Sequence, residues 1–268
     1  MIVDLHCHSH FSDGSLSPKS LIKLAEENKI EVFSVTDHDN IDAYEELATI
    51  DTKVKVIPGI EFSTSWNKIG VHIIGLHINL KSQELIRAIN QQKSSRQDRA
   101  HKIAKKLEKY GLLNAIEKIK NNNECKQIGR PDFAQLLIKE GIVVDWNQAF
   151  KKYLGAGKVG DIKNNWLSLD EVVAVINLSG GIAVLAHPLY YKLTNSKLRR
   201  LITDFKSMGG MGIEVVNGFQ NLQKTNYLRQ LCIEFKLKAS IGSDFHHPSK
   251  WHKLGCQSSM VLGIDTVW

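Results

Sequence analysis

Apolar positions along this chain switch between a two-residue and a three-to-four-residue spacing. Residues 2–10 open with Ile2, Val3 and Leu5, which predicts a strand, and Phe11-Ser12-Asp13-Gly14 then has the composition of a turn. Ser17-Pro18 predicts a helix start, with Leu21, Leu24 and Ala25 as its apolar stripe. A short β-rich run over 32–36 ends in the polar cluster Asp37-His38-Asp39-Asn40. A helix is expected over 41–49, and strands over 54–63 and 70–77. From about Ser82 the spacing becomes helical. One helix is expected over 83–110, a loop at Asn121-Asn122-Asn123, and another helix from Arg130-Pro131 through Leu136, Leu137 and Ile138. Gly155-Ala156-Gly157-Lys158 is a glycine-rich turn without the spacing of a P-loop. The earlier rhythm then returns. Ser168 and Glu171 form a capping box, and a strand over 181–186 ends in His187-Pro188. Helix 196–208, strand 211–217 and helix 221–236 follow. The last clear strand, 238–243, ends in Asp244-Phe245-His246-His247-Pro248.

Strand, helix and strand in alternation, with polar residues at the strands' carboxyl ends, predicts an α/β fold built as a parallel β/α barrel. Residues 1–81 and 166–268 would form the barrel, and 82–165 an inserted helical subdomain capping the substrate. The insertion's exposed faces carry Arg87, Arg96, Arg99, Lys105 and Lys106, which suits an anionic substrate.

The composition is that of a globular chain: 268 residues, 43% hydrophobic and 24% charged, with a formal net charge of +7. The positive balance favours a phosphate ester or nucleic acid as ligand. Cys7, Cys125, Cys232 and Cys256 form no C-x-x-C pair, so neither a zinc knuckle nor a disulfide framework is expected. Cys7 should face the core, opposite its two histidine neighbours. No signal peptide or membrane-length apolar run is evident, and a reduced cytoplasmic setting is expected.

The chemistry begins at His6 and His8. Two positions apart on a strand, they share a face and can grip one metal ion, with Asp13 brought beside them by the turn. His38, Glu61, His72, His187, Asp244 and His246 are likewise expected at or just past the carboxyl ends of predicted strands. In a parallel barrel those ends meet on one face, where active sites sit. So many imidazoles and carboxylates in one place would cost heavily in desolvation without metal. Imidazole and carboxylate without thiolate suits zinc, manganese or iron(II), and nine ligands imply two or three ions with Glu61 bridging. Such a centre generates hydroxide from water and clamps the attacking and leaving oxygens of a phosphoryl group, which predicts phosphoester hydrolysis with no covalent intermediate. Asp13, His38, His187 and Asp244 are the candidate catalytic residues within this set. No G-x-S-x-G elbow supports a serine nucleophile.

The order His6-x-His8, Ser12-Asp13-Gly14, Thr36-Asp37-His38, Gly59-Ile60-Glu61, His72, Ala186-His187-Pro188 and Gly242-Ser243-Asp244-Phe245-His246 resembles the PHP (polymerase and histidinol phosphatase) superfamily. The resemblance implies a distorted seven-stranded β/α barrel and places the nine residues on the family's ligand positions. Gly129-Arg130-Pro131 and Tyr153-Leu154-Gly155-Ala156-Gly157-Lys158 are most similar to the bacterial nucleoside 3′,5′-bisphosphate phosphatase and 5′-3′ exoribonuclease group, which implies that Arg130 and Lys158 bind substrate phosphate. Two positions depart from that group's pattern: Asp132 stands where it carries His after G-R-P, and 217–221 lack its later His. The expected partner is a nucleotide or short RNA, with no membrane. Histidinol-phosphate phosphatase is the alternative within the superfamily. Outside it stand an amidohydrolase, which commonly bridges its metals through a carboxylated lysine, and a non-catalytic nucleic-acid-binding module.

Overall fold

A computed structural model describes every residue except 122–126, 163–165, 219 and 250–252, so Asn122, Asn123 and Cys125 lie outside the described residues. In chain order, β1 (Ile2–Asp4), α1 (Pro18–Glu27), β2 (Val32–Phe33), α2 (Ala43–Leu47), β3 (Lys55–Val56), β4 (Gly59–Trp66) and β5 (Ile69–Leu76) precede the long helix α3 (Gln83–Leu107). Then come α4 (Ala115–Lys120), α5 (Arg130–Lys139) and α6 (Trp146–Ala149), the last continued by a π-helical turn, Phe150–Leu154. The chain closes with α7 (Leu169–Leu178), β6 (Ile182–Leu185), α8 (Asn195–Ser207), β7 (Gly212–Asn217), α9 (Leu222–Glu234), β8 (Lys238–Gly242) and β9 (Cys256–Gln257). Residues 1–89 and 167–268 form one compact unit and 90–166 another. Among the described residues no helix is long and apolar enough to cross a membrane.

The first unit is α/β, but not a single seven-stranded sheet. Its nine described strands form two sheets, ordered β3-β2-β1-β9 and β4-β5-β6-β7-β8. Nor is the pairing all parallel: β4 with β5, β5 with β6 and β1 with β9 run antiparallel. The reason for the first of these is local. Asn67 and Lys68, both at positive φ (47° and 67°), form a two-residue hairpin loop that turns β4 straight back into β5. An Asn-Lys pair is a weaker hairpin signal than Asn-Gly, so the sequence reads as two separate strands.

The ordered strand at the amino end is also shorter than 2–10. Beyond Asp4 the backbone is held by single bonds: Leu5 N–H to the Ile241 carbonyl, Asp244 N–H to that of His6, and His8 N–H to that of Phe245. A parallel bridge between His38 and Glu61 ties the end of β2 to β4. The expected gathering of carboxyl ends does not hold throughout: β4 and β5 run antiparallel, and Glu61 and His72 lie within these strands, not at or past their carboxyl ends. Cys7 is fully buried among Leu21, Phe33, Val35 and Phe245, as its alternation from the histidines predicts. In α7, Ser168 N–H donates to the Glu171 carboxylate at 2.7 Å, completing the capping box.

In the second unit, Ile103, Leu107, Phe133 and Leu137 centre a separate core. The first unit's polar turns rely on one buried hydroxyl. Tyr44 accepts from the Gly59 N–H at 2.7 Å and reaches the Val35 and Ile57 carbonyls at 2.7 and 3.0 Å, so it joins the segments leading to His38 and Glu61. Tyr44→Phe should destabilise the protein by about 1–3 kcal/mol, the cost of leaving buried backbone groups short of a partner. Urea unfolding checks this, and an unchanged midpoint would show those groups find other partners.

Candidate metal centre

Each imidazole arrives from a backbone segment that constrains it tightly. Gly14 ends the turn after His8 so close that a Cβ there would meet the His8 carbonyl oxygen at 2.1 Å. A Cβ at Gly242 would meet the His6 Cβ at 2.3 Å. His187 and Asp244 hold left-handed backbone conformations (φ 26° and 53°), which cost non-glycine residues energy and persist only where surrounding bonds enforce them. The enforcing bonds are present. The His187 N–H donates to Glu214 Oε2 at 2.6 Å, and the Asp244 N–H to the His6 carbonyl at 2.7 Å.

The side chains converge on Glu61, which is fully buried. Its Oε1 lies 2.9 Å from His72 Nδ1, 3.0 Å from His187 Nε2 and 3.4 Å from His6 Nε2. Its Oε2 lies 2.9 Å from His38 Nδ1 and 3.3 Å from His8 Nε2. Asp244 Oδ1 stands 3.4 Å from His6 Nε2 and 3.3 Å from His8 Nε2. Asp13 reaches His38 Nε2 at 3.6 Å and His246 Nε2 at 3.3 Å. Four overlapping sets follow: His8, Asp13, His38 and His246; His6, His187 and Asp244; His6, His8 and Glu61; and His38, Glu61 and His72. The structure thus brings together all nine residues that the sequence singles out.

Burial would push these carboxylates up, yet Glu61 is held well below the usual range by the charges of His38, His6 and His72. Asp13 is held down by His38 and His246, and Asp244 by His6 and His8. Among the imidazoles, burial and then the neighbouring His246 lower His8 to about 4. Burial opposes protonation of His246 too, but Asp13 lifts it to about 9. The donor set fits divalent metal ions. The Nε2 atoms of His6 and His8 and Oε2 of Glu61 are buried with no hydrogen-bond partner, although each faces other ligand-type atoms. Orphaned lone pairs at that depth are costly unless a cation takes them.

A second layer, not singled out in the sequence, holds this one. Glu214 is fully buried; its Oε1 lies 2.9 Å from His6 Nδ1, so His6 turns Nε2 towards Glu61. Asp37 accepts from Ser9 N–H at 2.7 Å and from the Ser9 and Ser12 hydroxyls at 2.5 Å. Asp4, raised to about 6 by burial, accepts from the Ser243 and Gly255 N–H groups. Tyr191 accepts from the His72 N–H and donates to the Ala186 carbonyl. The available signal was position: Glu214 is a lone acid inside an otherwise apolar strand.

Arg130 and Lys158 both belong to the second unit and so stand outside the nine-residue cluster's unit. Arg130 Nη1 donates to the Leu154 carbonyl at 3.3 Å. Its neighbour Arg99 is lowered to about 10 by burial and by the charges of Arg130 and Arg96, and the Arg99 Nε is buried without a partner. Lys158 lines an open cavity of about 620 Å³. The departures at Asp132 and 217–221 have structural uses. Asp132 accepts from the Gly129 N–H to cap α5, and Asn217 Nδ2 donates to Glu214 Oε2. Phe219 lies outside the described residues.

A sequence-family model of the PHP domain matches residues 4–217. A 5′-3′ exoribonuclease of Haemophilus influenzae is 38% identical over 267 residues, spanning 99% of this chain and 97% of its own. A 3′,5′-nucleoside bisphosphate phosphatase of Chromobacterium violaceum is 34% identical over 251 residues, 92% of this chain and 88% of its own. The solved structure of an amidohydrolase from Chromobacterium violaceum, with bound sulfate and no metal, matches with a TM-score of 0.89 at 32% identity, over 99% of this chain and 94% of that one.

Glu214→Gln keeps the shape of the second layer but removes the charge that orients His6. Metal affinity should fall about 10- to 100-fold, as for other outer carboxylates of metal-bound imidazoles. Equilibrium dialysis with metal analysis measures it, and circular dichroism in chelator should show the fold retained. Unchanged affinity would remove Glu214 from this role.

Proposed function

The chain belongs to the PHP domain family, and from that premise we propose that it hydrolyses a 3′,5′-bisphosphonucleotide or a short 5′-phosphorylated RNA. It is a metal-dependent phosphoesterase; the substrate and the role of each residue are the proposal. The observation that carries it is the Glu61 carboxylate, one oxygen facing three imidazoles and the other two. With the surrounding imidazoles and carboxylates it would hold divalent cations, which would supply Lewis-acid chemistry at a phosphoryl group.

On this reading His6, His8, Asp13, His38, Glu61, His72, His187, Asp244 and His246 hold two or three divalent ions, of manganese, iron or zinc. When bound, such ions polarise the phosphoryl group and acidify a water molecule. The chain's own residues do the rest. Asp13 and Asp244 each engage three imidazoles and keep their nitrogens aimed inward. With His38 and His187 they orient the attacking water and manage its proton. Water adds across the ester P–O bond, and the proton goes to the departing alkoxide. Arg130 and Lys158 grip a substrate phosphate. Mutual repulsion among Arg96, Arg99 and Arg130 supports this, because a bound phosphate would relieve it. The sulfate held by the solved relative is a tetrahedral anion of the same kind.

The name of that relative raises the amidohydrolase reading. Against it, Glu61 occupies the shared position between the imidazoles, where an amidohydrolase commonly carries a carboxylated lysine.

Phosphate release with added manganese tests the proposal on adenosine 3′,5′-bisphosphate, 5′-AMP, histidinol phosphate and a short 5′-phosphorylated RNA. The bisphosphate or the RNA should be strongly preferred. Preference for histidinol phosphate would transfer the reading to the alternative phosphatase. His246→Ala should lower kcat at least about 100-fold with the fold intact by circular dichroism. Arg130→Ala should raise KM about ten-fold, the effect of losing a charged phosphate contact, with a smaller change in kcat. An unchanged KM would take Arg130 out of the site.

A further inference from the structure

We propose that the cavity on the inserted unit is a docking subsite for the body of a single-stranded RNA, running from the phosphate grip at Lys158 across Lys151 and Lys152. This deepens the RNA branch of the proposed function and rests on it. The cavity, about 620 Å³, is lined by Lys151, Lys152 and Lys158, with Tyr153, Asn147 and Asp145. Among the described residues none of the three lysines lies within ion-pairing distance of a carboxylate. The single acid is already engaged: Asp145 Oδ1 accepts from the Gln148 N–H at 2.7 Å, capping α6. The result is a concave surface in which three ammonium groups outnumber a single carboxylate. Lysine is a mobile point charge and suits a flexible phosphodiester backbone better than one fixed phosphate.

Aromatic groups accompany the charge. Trp146, between two lining residues in the chain, is 49% exposed, and its ring lies nearly parallel to that of Phe150 (12°, centroids 6.2 Å apart). Tyr153 packs edge-on against Tyr110, itself 48% exposed. Two aromatic pairs, each leaving a large ring exposed, accompany the lysines: Tyr153 lines the cavity, and Trp146 and Phe150 belong to the same stretch of chain. Unpaired bases stack on such rings with little regard to sequence, while lysines track the phosphates. Duplex RNA, with its bases already stacked on one another, offers nothing to them.

The charges and rings here are exposed, so they can be changed without disturbing a core. The test uses the full chain carrying Lys151→Glu with Lys152→Glu, and separately Trp146→Ala. The probes are a 3′-fluorescein, 5′-phosphorylated single-stranded RNA of about a dozen nucleotides, its duplex, and adenosine 3′,5′-bisphosphate. Polarisation in EDTA reads RNA binding without turnover, and manganese-supported kinetics read kcat and KM. The double variant should weaken single-strand binding roughly ten-fold and lower the salt dependence of the affinity. Trp146→Ala should weaken binding several-fold with the salt dependence intact. Both should leave kcat for the bisphosphate and the melting temperature unchanged, with any rise in its KM well below the loss on RNA.

Unchanged RNA affinity, equal binding of the duplex, or an equal loss on the bisphosphate would each overturn the subsite. Failure of the underlying reading looks different. If the wild-type protein binds RNA through these lysines but hydrolyses neither substrate, the subsite stands and the assigned reaction falls. If the bisphosphate is hydrolysed and the variants match wild type on RNA, the reaction stands and the subsite falls.

Discussion

The carboxylate of Glu61 is the group on which the first unit's arrangement depends. It is wholly removed from water and surrounded by five imidazoles, with Asp13 and Asp244 within reach of the same rings. An ionised acid at that depth is tolerated only with matching positive charge and hydrogen bonds. The imidazoles supply part of this, but they cannot all be protonated beside one another: His8 is driven down to about 4 while His246 rises to about 9. The cluster therefore resolves into carboxylates kept ionised and a mixture of neutral and charged rings. That is a poor arrangement for stability alone and a good one for holding divalent cations.

Much of the surrounding structure answers this constraint. Left-handed backbone at His187 and Asp244, and glycines at 14 and 242 where no side chain fits, oppose folding locally. They are offset by backbone bonds that cross between the two sheets and by the buried acids Glu214, Asp37 and Asp4. Each of these acids is satisfied by backbone N–H groups, hydroxyls or a ring nitrogen, and each thereby fixes a segment that carries a candidate ligand. The apolar cores on the far sides of the sheets stabilise the whole without entering the site.

How much of this could be read in the sequence follows from where each signal resides. His6 and His8 were legible because alternation along an extended chain depends only on spacing, and Cys7 follows from the same rule. His38, His187, Asp244 and His246 were legible because polar residues just past apolar runs stand out against their surroundings, and Asp13 as part of the turn after the first strand; Glu61 and His72 lie inside β4 and β5, where that signal misplaces them. The pairing of strands was not legible. The β4–β5 hairpin turns on positive φ at Asn67 and Lys68, and neither residue type demands it. The two-residue β9 is set by long-range pairing with β1, not by its own composition. Asp132 and Asn217, read as changes near the substrate, serve as a helix cap and a brace for Glu214. Side-chain purpose of that kind depends on a partner that spacing cannot identify.

The same limit explains why the inserted unit needs a different argument from the first. In the nine-residue cluster each group is buried, its partners are few, and geometry restricts its chemistry sharply. In the inserted unit Lys151, Lys152, Lys158 and Trp146 are exposed, and no single distance decides their use. What decides is the combination: ammonium groups in excess of counter-charge, lining a concavity, in company with partly exposed rings. A protein surface that needed only solubility would intersperse acids among the lysines and keep its aromatic rings covered. In the cavity lining three lysines face a single acid, and two rings of the same unit, Trp146 and Tyr110, are half exposed, a combination that suits a flexible, polyanionic, base-bearing ligand.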